Sequence, residues 1–77
     1  MEYIANRITI ADDVCNGKPT IRGLRITVAT VLEYLSAGTT MQEILEQYPA
    51  LEEADVYACL QFATAVTNRR YTFQMTA

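Results

Sequence analysis

Three apolar stripes at helical spacing, joined by short linkers, constrain the fold of this chain more than any other feature. Within each stripe the apolar residues recur at i, i+3, i+4 and i+7, which places them on one face of a helix. The three sets are Val28, Val31, Leu32 and Leu35; then Met41, Ile44, Leu45 and Tyr48; then Val56, Cys59, Leu60, Ala63 and Val66 or Thr67. The pattern predicts three amphipathic helices that share one core.

Local signals mark the ends of the first two helices. Thr27 is a candidate N-cap of the first helix, and Gly38 is placed to end it as a C′ glycine. Thr40 and Glu43 have the spacing of a capping box for the second helix, which Pro49 ends. These signals predict short helices with defined boundaries.

The third helix is expected over about residues 53–70, with acidic residues at its start and basic residues at its end, as the helix dipole favours. Only three or four residues, around Pro49, Ala50 and Leu51, separate it from the second helix. This is the spacing of a helix-turn-helix, with Leu51 filling the corner. Any small three-helix domain can show the same spacing, so the spacing alone does not establish DNA binding.

The N-terminal third of the chain predicts a short β element. Ile8–Ile10 is β-branched and typical of a strand, and residues 25–27 are a candidate second strand. Asn16 and Gly17 between them are a turn signal, because both tolerate positive φ. The expected fold class is therefore mainly α: a three-helix, helix-turn-helix domain preceded by a short two-stranded β element.

Seventy-seven residues make a single domain, with a core expected over about residues 8–70 and a flexible or partner-ordered tail over residues 71–77. A chain this short buries only about 60–65% of its unfolded surface, so a homodimer is expected to add buried area. No apolar run reaches the roughly 18 residues of a membrane span, and the N-terminus lacks the features of a signal peptide. A cytoplasmic location and no membrane association are the expectation.

Histidine is absent, and Cys15 and Cys59 are the only two cysteines. Two thiols do not make a zinc site, which typically takes four ligands, and without histidine the commonest general base is missing. We therefore expect two reduced thiols, with Cys59 in the core, and neither a bound metal, a cofactor nor an enzymatic activity.

Three of the six basic residues lie in a short segment that also holds two glycines and a proline: Lys18, Arg22 and Arg25. Arginine binds phosphate or carboxylate bidentately, so these residues are candidates for contact with DNA. The alternative is an internal ion pair of the arginines with Asp12 or Asp13. The net charge of −3 weighs against generic nucleic-acid binding, which depends on many phosphate contacts.

The side of the third helix away from its apolar stripe carries a second set of candidates. Gln61 and Asn68 are polar residues that could contact bases, whereas Tyr57 and Phe62 are large for an outer face. Exposed aromatic residues favour a protein interface. Tyr57 and Phe62 are therefore candidates for a dimer or partner surface.

The C-terminal tail supplies three further partner candidates, Tyr71, Phe73 and Met75. They alternate with polar residues, which suits a strand added to the exposed sheet edge of a partner. The alternative is a frayed terminus with no role.

Four motifs in this chain occur together in one known family. They are Ile8-Thr9-Ile10, Val14-x-x-Gly17-Lys18-Pro19-x-Ile21-Arg22-Gly23-x-Arg25-Ile26, Thr40-x-x-Glu43-Ile44-Leu45-x-x-Tyr48-Pro49 and Asp55-Val56-x-Ala58-x-Leu60. With them the chain resembles the domain-of-unknown-function family number 433 over about residues 8–65. The resemblance implies a homeodomain-like three-helix fold and the role of an antitoxin. It further implies a PIN-like ribonuclease toxin, encoded next to it, as partner, and a role in binding its own promoter DNA.

Two positions depart from the pattern of that family. Leu24 stands where a threonine is expected, and Glu52 stands where a Ser or Thr N-cap is expected. With Glu53 and Asp55, Glu52 makes the start of the third helix acidic. A recognition helix brings its N-terminal residues close to phosphates, which would repel these carboxylates. The alternative function is therefore a protein-interaction module that dimerises and does not bind DNA.

Overall fold

The computed structural model describes residues 1–69, which form a small N-terminal antiparallel sheet followed by three helices. A single turn of 3-10 helix lies between the second and third strands. The strands are β1 (Glu2–Ala5), β2 (Ile8–Ile10) and β3 (Thr20–Ile21); the helices are α1 (Val28–Ser36), α2 (Met41–Gln47) and α3 (Glu53–Thr67). The fold is mainly α, as predicted.

The sheet has the strand order β1-β2-β3, with Ile8 opposite Ile21. The predicted pairing of β2 with residues 25–27 is wrong, since of these only Thr27 forms an isolated bridge, to Thr20. β3 takes the place beside β2, and the tight turn at Arg22 and Gly23, both with positive φ, brings Ile26 back to β3, where its carbonyl accepts from the Ile21 amide. β1 was not predicted from the sequence, because its four residues are all exposed and have no alternating pattern.

The predicted ends of α1 and α2 are confirmed. The Thr27 side chain caps α1 by accepting a hydrogen bond from the Thr30 amide. Gly38, with φ of 88°, follows the last turn of α1 in the left-handed region that favours glycine. The capping box of α2 has both bonds: Glu43 N donates to Thr40 Oγ1 at 3.2 Å, and Thr40 N donates to Glu43 Oε1 at 3.0 Å.

The third helix begins at Glu53, as expected, but ends at Thr67, three residues before the predicted boundary. The chain turns at Asn68, whose amide donates to the Thr64 carbonyl, and bends at Arg69. The helix therefore ends without a glycine or proline to signal it, which is why the sequence pattern extended it too far.

The core lies between the sheet and the inner sides of the helices. Its buried apolar residues are Ile8, Ile21, Val28, Val31, Ile44, Leu51, Val56, Ala58 and Cys59. Leu51 fills the corner between α2 and α3, as predicted, but Leu60 of the predicted inner stripe is 41% exposed. Leu60 lies about 100° around the helix from Cys59, beyond the edge of the buried face. None of the helices within residues 1–69 is long and apolar enough to cross a membrane.

Candidate functional site

A fully buried carboxylate, that of Asp55, lies in the first turn of α3 and binds two arginines. Arg22 donates from Nε to Asp55 Oδ1 at 2.9 Å and from Nη2 to Oδ2 at 2.8 Å. Arg7 donates from Nη1 to Oδ1 at 2.9 Å, and the Glu52 amide donates to Oδ2 at 2.8 Å. Each carboxylate oxygen therefore accepts two hydrogen bonds, and the buried charge is fully paired. We call Arg7, Arg22 and Asp55 the arginine–aspartate cluster.

Left-handed backbone in two turns directs both arginines toward Asp55. Arg7, between β1 and β2, has φ of 63°, and Arg22, after β3, has φ of 46°. The Arg22 amide donates to the Arg7 carbonyl at 3.0 Å, and Arg22 Nη2 also donates to the carbonyl of Ala50 at 2.8 Å. The cluster therefore joins both turns of the sheet to the α2–α3 link and to the start of α3.

The pKa of Asp55 shows how completely the cluster compensates for burial. Burial by itself raises the pKa of this carboxyl. The hydrogen bonds from Arg22, the Glu52 amide and Arg7 outweigh burial and lower the pKa to about 2. The hydrogen bonds to Asp55 raise the pKa of Arg22, and the hydrogen bonds to the Glu52 side chain and then to Asp55 raise the pKa of Arg7. All three groups are charged at neutral pH, so the cluster holds the fold together and has no proton to exchange.

The cluster corrects two expectations from the sequence. Asp12 and Asp13 are exposed and are not the partners of Arg22, whose ion pair crosses the domain to Asp55. The carboxylates at the start of α3 are also expected to repel phosphates less than the sequence suggested, because two of the three are paired with arginines. Asp55 is buried and paired, and Glu52 forms an ion pair with Arg7 at 2.8 Å.

The structure does not bring the five DNA-binding candidates together. Arg22 is occupied by Asp55, whereas Arg25 and Lys18 are exposed, and Arg25 forms no ion pair within residues 1–69. Gln61 and Asn68 are exposed on α3, on the side of the helix opposite to the surface that Lys18 borders. A continuous strip of basic and base-reading side chains is therefore absent from the part of the chain that the structure describes.

Gln61 and Asn68 belong instead to an exposed face of α3 that includes apolar side chains. This outer face of α3 consists of Tyr57, Leu60, Gln61, Thr64, Ala65 and Asn68, which line a shallow depression of about 440 Å³. Tyr57 is 52% exposed, and Leu60 is among the five exposed large apolar side chains of residues 1–69. Tyr57 was predicted on this face from the sequence, whereas Leu60 was predicted in the core, because the helical spacing did not show where the buried face ends.

Phe62, predicted on this outer face, lies on the other side of α3, half-buried against the core. It lines a groove of about 410 Å³ between α1 and α3, which we call the α1–α3 groove. The walls of the groove are mainly Val28, Ala29 and Leu32 of α1 and Phe62, Ala63 and Val66 of α3. Lys18 and Pro19 complete one end. The remaining partner candidates, Tyr71, Phe73 and Met75, lie outside the described residues.

Neither thiol lies in a cluster of possible metal ligands within the described part of the chain. Residues 1–69 contain no group of three or more His, Cys, Asp or Glu side chains placed to hold a metal ion. Cys59 is buried in the core, as predicted, and burial raises the pKa of its thiol to about 11. Cys59 is therefore a protonated core residue at neutral pH, and Cys15 is half-buried and free.

Comparison with known proteins places these features in a family context. The model of a family described as "Protein of unknown function (DUF433)" matches residues 8–63. The crystal structure of a DUF433 member protein from Anabaena variabilis is 35% identical, with a TM-score of 0.74 over 78% of this chain and 59% of that one. The uncharacterized protein y4eO of Sinorhizobium fredii is 29% identical over 68 residues, 86% of this chain. The chain spans only 31% of the length of y4eO.

Proposed function

The chain belongs to the DUF433 family, and on that premise we propose that it is an antitoxin-type protein that binds and neutralises a PIN-like ribonuclease. The observation that carries the proposal is the outer face of α3, where the large side chains of Tyr57 and Leu60 stay exposed to solvent. Tyrosine is among the residues that contribute most to binding at protein interfaces. The identity of the partner comes from the family resemblance. The net charge of −3 makes this chain electrostatically complementary to a partner with a basic surface.

The composition of the outer face fits a protein partner better than a nucleic acid. It has apolar contact area at Tyr57 and Leu60, polar groups at Gln61, Thr64 and Asn68, and no charged residue. Phosphate contacts supply most of the affinity for DNA, and a surface without Lys or Arg cannot make the charged ones. Helix α3 is therefore proposed as the surface that recognises a partner protein.

Binding to promoter DNA is the second part of the proposal. A homeodomain-like arrangement would present α3 to the major groove, and of the three basic candidates Arg25 and Lys18 would be left to contact phosphates, because Arg22 is engaged with Asp55. Replacing Arg25 by alanine should lower the salt slope of promoter binding by about one, since one phosphate contact is lost. The competing use of the outer face of α3 is self-association, which would make the chain a homodimerisation module without a toxin.

Co-expression with the product of the adjacent reading frame tests the proposal. A stable complex should form with the unaltered chain and rescue growth, and a Tyr57→Ala, Leu60→Ala double variant should weaken the complex by at least about tenfold, as expected for loss of an interface anchor. Tyr3→Ala is the matched control, because Tyr3 is a similarly exposed tyrosine (58%) on β1. Undiminished binding and rescue by the double variant would contradict the proposal.

Sedimentation equilibrium of the isolated chain distinguishes self-association through the outer face of α3 from binding of a partner protein. If the outer face serves self-association, the unaltered chain should sediment with twice the chain mass at micromolar concentration, and the double variant should sediment as a monomer. If the face is reserved for a partner, the same two substitutions should leave the mass of the isolated chain unchanged.

A further inference from the structure

The α1–α3 groove is an apolar surface that the partner-binding face does not use. At about 100° per residue, Phe62, Ala63 and Val66 lie on the side of α3 opposite to Tyr57 and Gln61. Small residues on the two helices, Ala29 and Ala63, leave the space that the groove occupies. Its lining is almost entirely apolar, with one charged residue, Lys18, at its end. Such a groove favours an apolar segment as its occupant.

The chain itself supplies a segment of that chemistry at the end of the groove. Thr67, the last residue of α3, lines the groove, and the described chain ends two residues later, at Arg69. The next eight residues include Tyr71, Phe73 and Met75 at alternate positions. In an extended segment, alternate side chains point to the same side, so these three present one apolar side to the groove.

The direction of the chain and its reach both permit this docking. Asn68 is the C-cap of α3 and Arg69 forms a bend, so the helix stops at the end of the groove and does not fix the direction in which the chain continues. The groove follows α3 from Phe62 to Thr67, a rise of roughly 8 Å. Residues 70–77 can span up to about 26 Å when extended, which is more than sufficient to return along this length.

We propose that the α1–α3 groove binds the C-terminal segment of the same chain, residues 71–75. The segment is tethered directly beside the groove, so its effective concentration there is high, of the order of millimolar. Burial of large apolar side chains then provides the driving force. The proposal does not depend on the identity of a partner, and it gives the tail a different role from the strand addition anticipated from the sequence.

Methyl NMR of the full-length chain tests the proposal. With methionine methyl groups labelled, Met75 should show nuclear Overhauser contacts to Leu32 and to the other methyl groups of the groove. Ala29→Glu should abolish these contacts by placing a carboxylate in the groove. Ala29 is exposed in the first turn of α1, where an acidic residue is favourable, so this variant should fold.

The matched control is Ala65→Glu, which adds the same charge to the outer face of α3 and should leave the contacts of Met75 intact. Trypsin gives a second measurement, because docking should slow cleavage after Arg69 and Arg70. The cleavage rate should rise by about tenfold in Ala29→Glu and should not change in the control.

Three results would overturn the proposal. The first is the absence of contacts between Met75 and the groove in the unaltered chain. The second is their persistence in Ala29→Glu, together with unchanged cleavage. The third is contacts that arise only between labelled and unlabelled chains in a mixed sample, which would mean that the groove binds the tail of a second copy.

Discussion

The guanidinium of Arg22 binds both carboxylate oxygens of Asp55 across 33 positions of sequence, at 2.9 and 2.8 Å. One end of this pair is in the turn after β3, and the other is in the first turn of α3. The pair therefore sets where α3 begins relative to the sheet. It also explains why an arginine in a conspicuously basic segment is not available to a ligand.

Removing Arg22 should destabilise the domain severely. Arg22→Ala leaves the buried carboxylate of Asp55 with only Arg7 as a charged partner, and breaking a buried ion pair costs about 3 kcal/mol or more. Arg25→Ala is the control. It removes an exposed arginine and should change the free energy of unfolding by less than about 0.5 kcal/mol. Urea unfolding measures both, and equal effects would show that the ion pair contributes nothing.

Stability should fall in acid because of Asp55. Its pKa in the folded chain is about 2, below its ordinary value of 3.8, so the folded state favours the ionised carboxylate. The resulting stabilisation, about 2 kcal/mol, is fully present above pH 3.8 and is lost as the pH falls toward 2. Thermal unfolding between pH 7 and pH 2 measures this loss.

An Asp55→Asn variant should be less stable at pH 7 and should lose less stability in acid than the unaltered chain. Asp13→Asn, at an exposed carboxylate, should keep the full acid sensitivity. If the stability of Asp55→Asn falls with pH in parallel with that of the unaltered chain, groups other than Asp55 cause the acid sensitivity. Glu43 is one such group, because its hydrogen bonds from the amide and side chain of Thr40 lower its pKa.

The two buried hydroxyls of Thr9 and Thr20 should contribute unequally to the free energy of unfolding. The two Oγ1 atoms lie 3.0 Å apart, and Thr9 Oγ1 also accepts from the Gly23 amide at 2.8 Å. Thr9→Val removes this partly buried bond as well as the bond between the two hydroxyls, at roughly 1 kcal/mol net for each, so it should cost about 2 kcal/mol. Thr20→Val should cost less, and the double variant should cost less than the sum of the two. Additive, equal losses in urea unfolding would contradict this account.

The two thiols should differ in reactivity in the folded protein. Cys59 is buried with its pKa raised to about 11, so little thiolate forms near neutral pH, whereas Cys15 is partly accessible. A thiol reagent at pH 8 should therefore modify one thiol rapidly, and Cys15→Ser should abolish that fast phase. In denaturant both thiols should react. A fast phase that survives in Cys15→Ser would show that the core around Cys59 opens readily.

The sequence predicted most of the helical part of the fold from local rules. Thr27, Thr40 and Gly38 were assigned their roles correctly, because capping depends on residues three or four positions apart. Leu51 and Cys59 were correctly placed in the core for a related reason: helical spacing identifies the middle of a buried face. The spacing did not locate the edge of that face, which is where Leu60 and Phe62 were misplaced.

The strands were less predictable, because strand pairing joins residues that are distant in sequence. β1 has no buried residue and therefore no apolar pattern to reveal it. The basic segment was recognised as unusual, but whether its arginines faced a ligand or a carboxylate depended on a partner in another element. Asp12 and Asp13 were the obvious partners only because they are near in sequence.

Sequence alone thus determined three helices, the caps of the first two, a mainly α fold and membership of the family, all of which follow from patterns within short stretches of chain. The tertiary structure decided that Arg7 and Arg22 meet Asp55, that Tyr57 and Leu60 remain on the surface, and that α1 and α3 leave a groove between them. The physical reason is the range of the interactions. Caps and helical stripes act over three to four residues, whereas the ion pairs of Asp55 span 33 and 48 positions and exist only once the sheet and helices pack together.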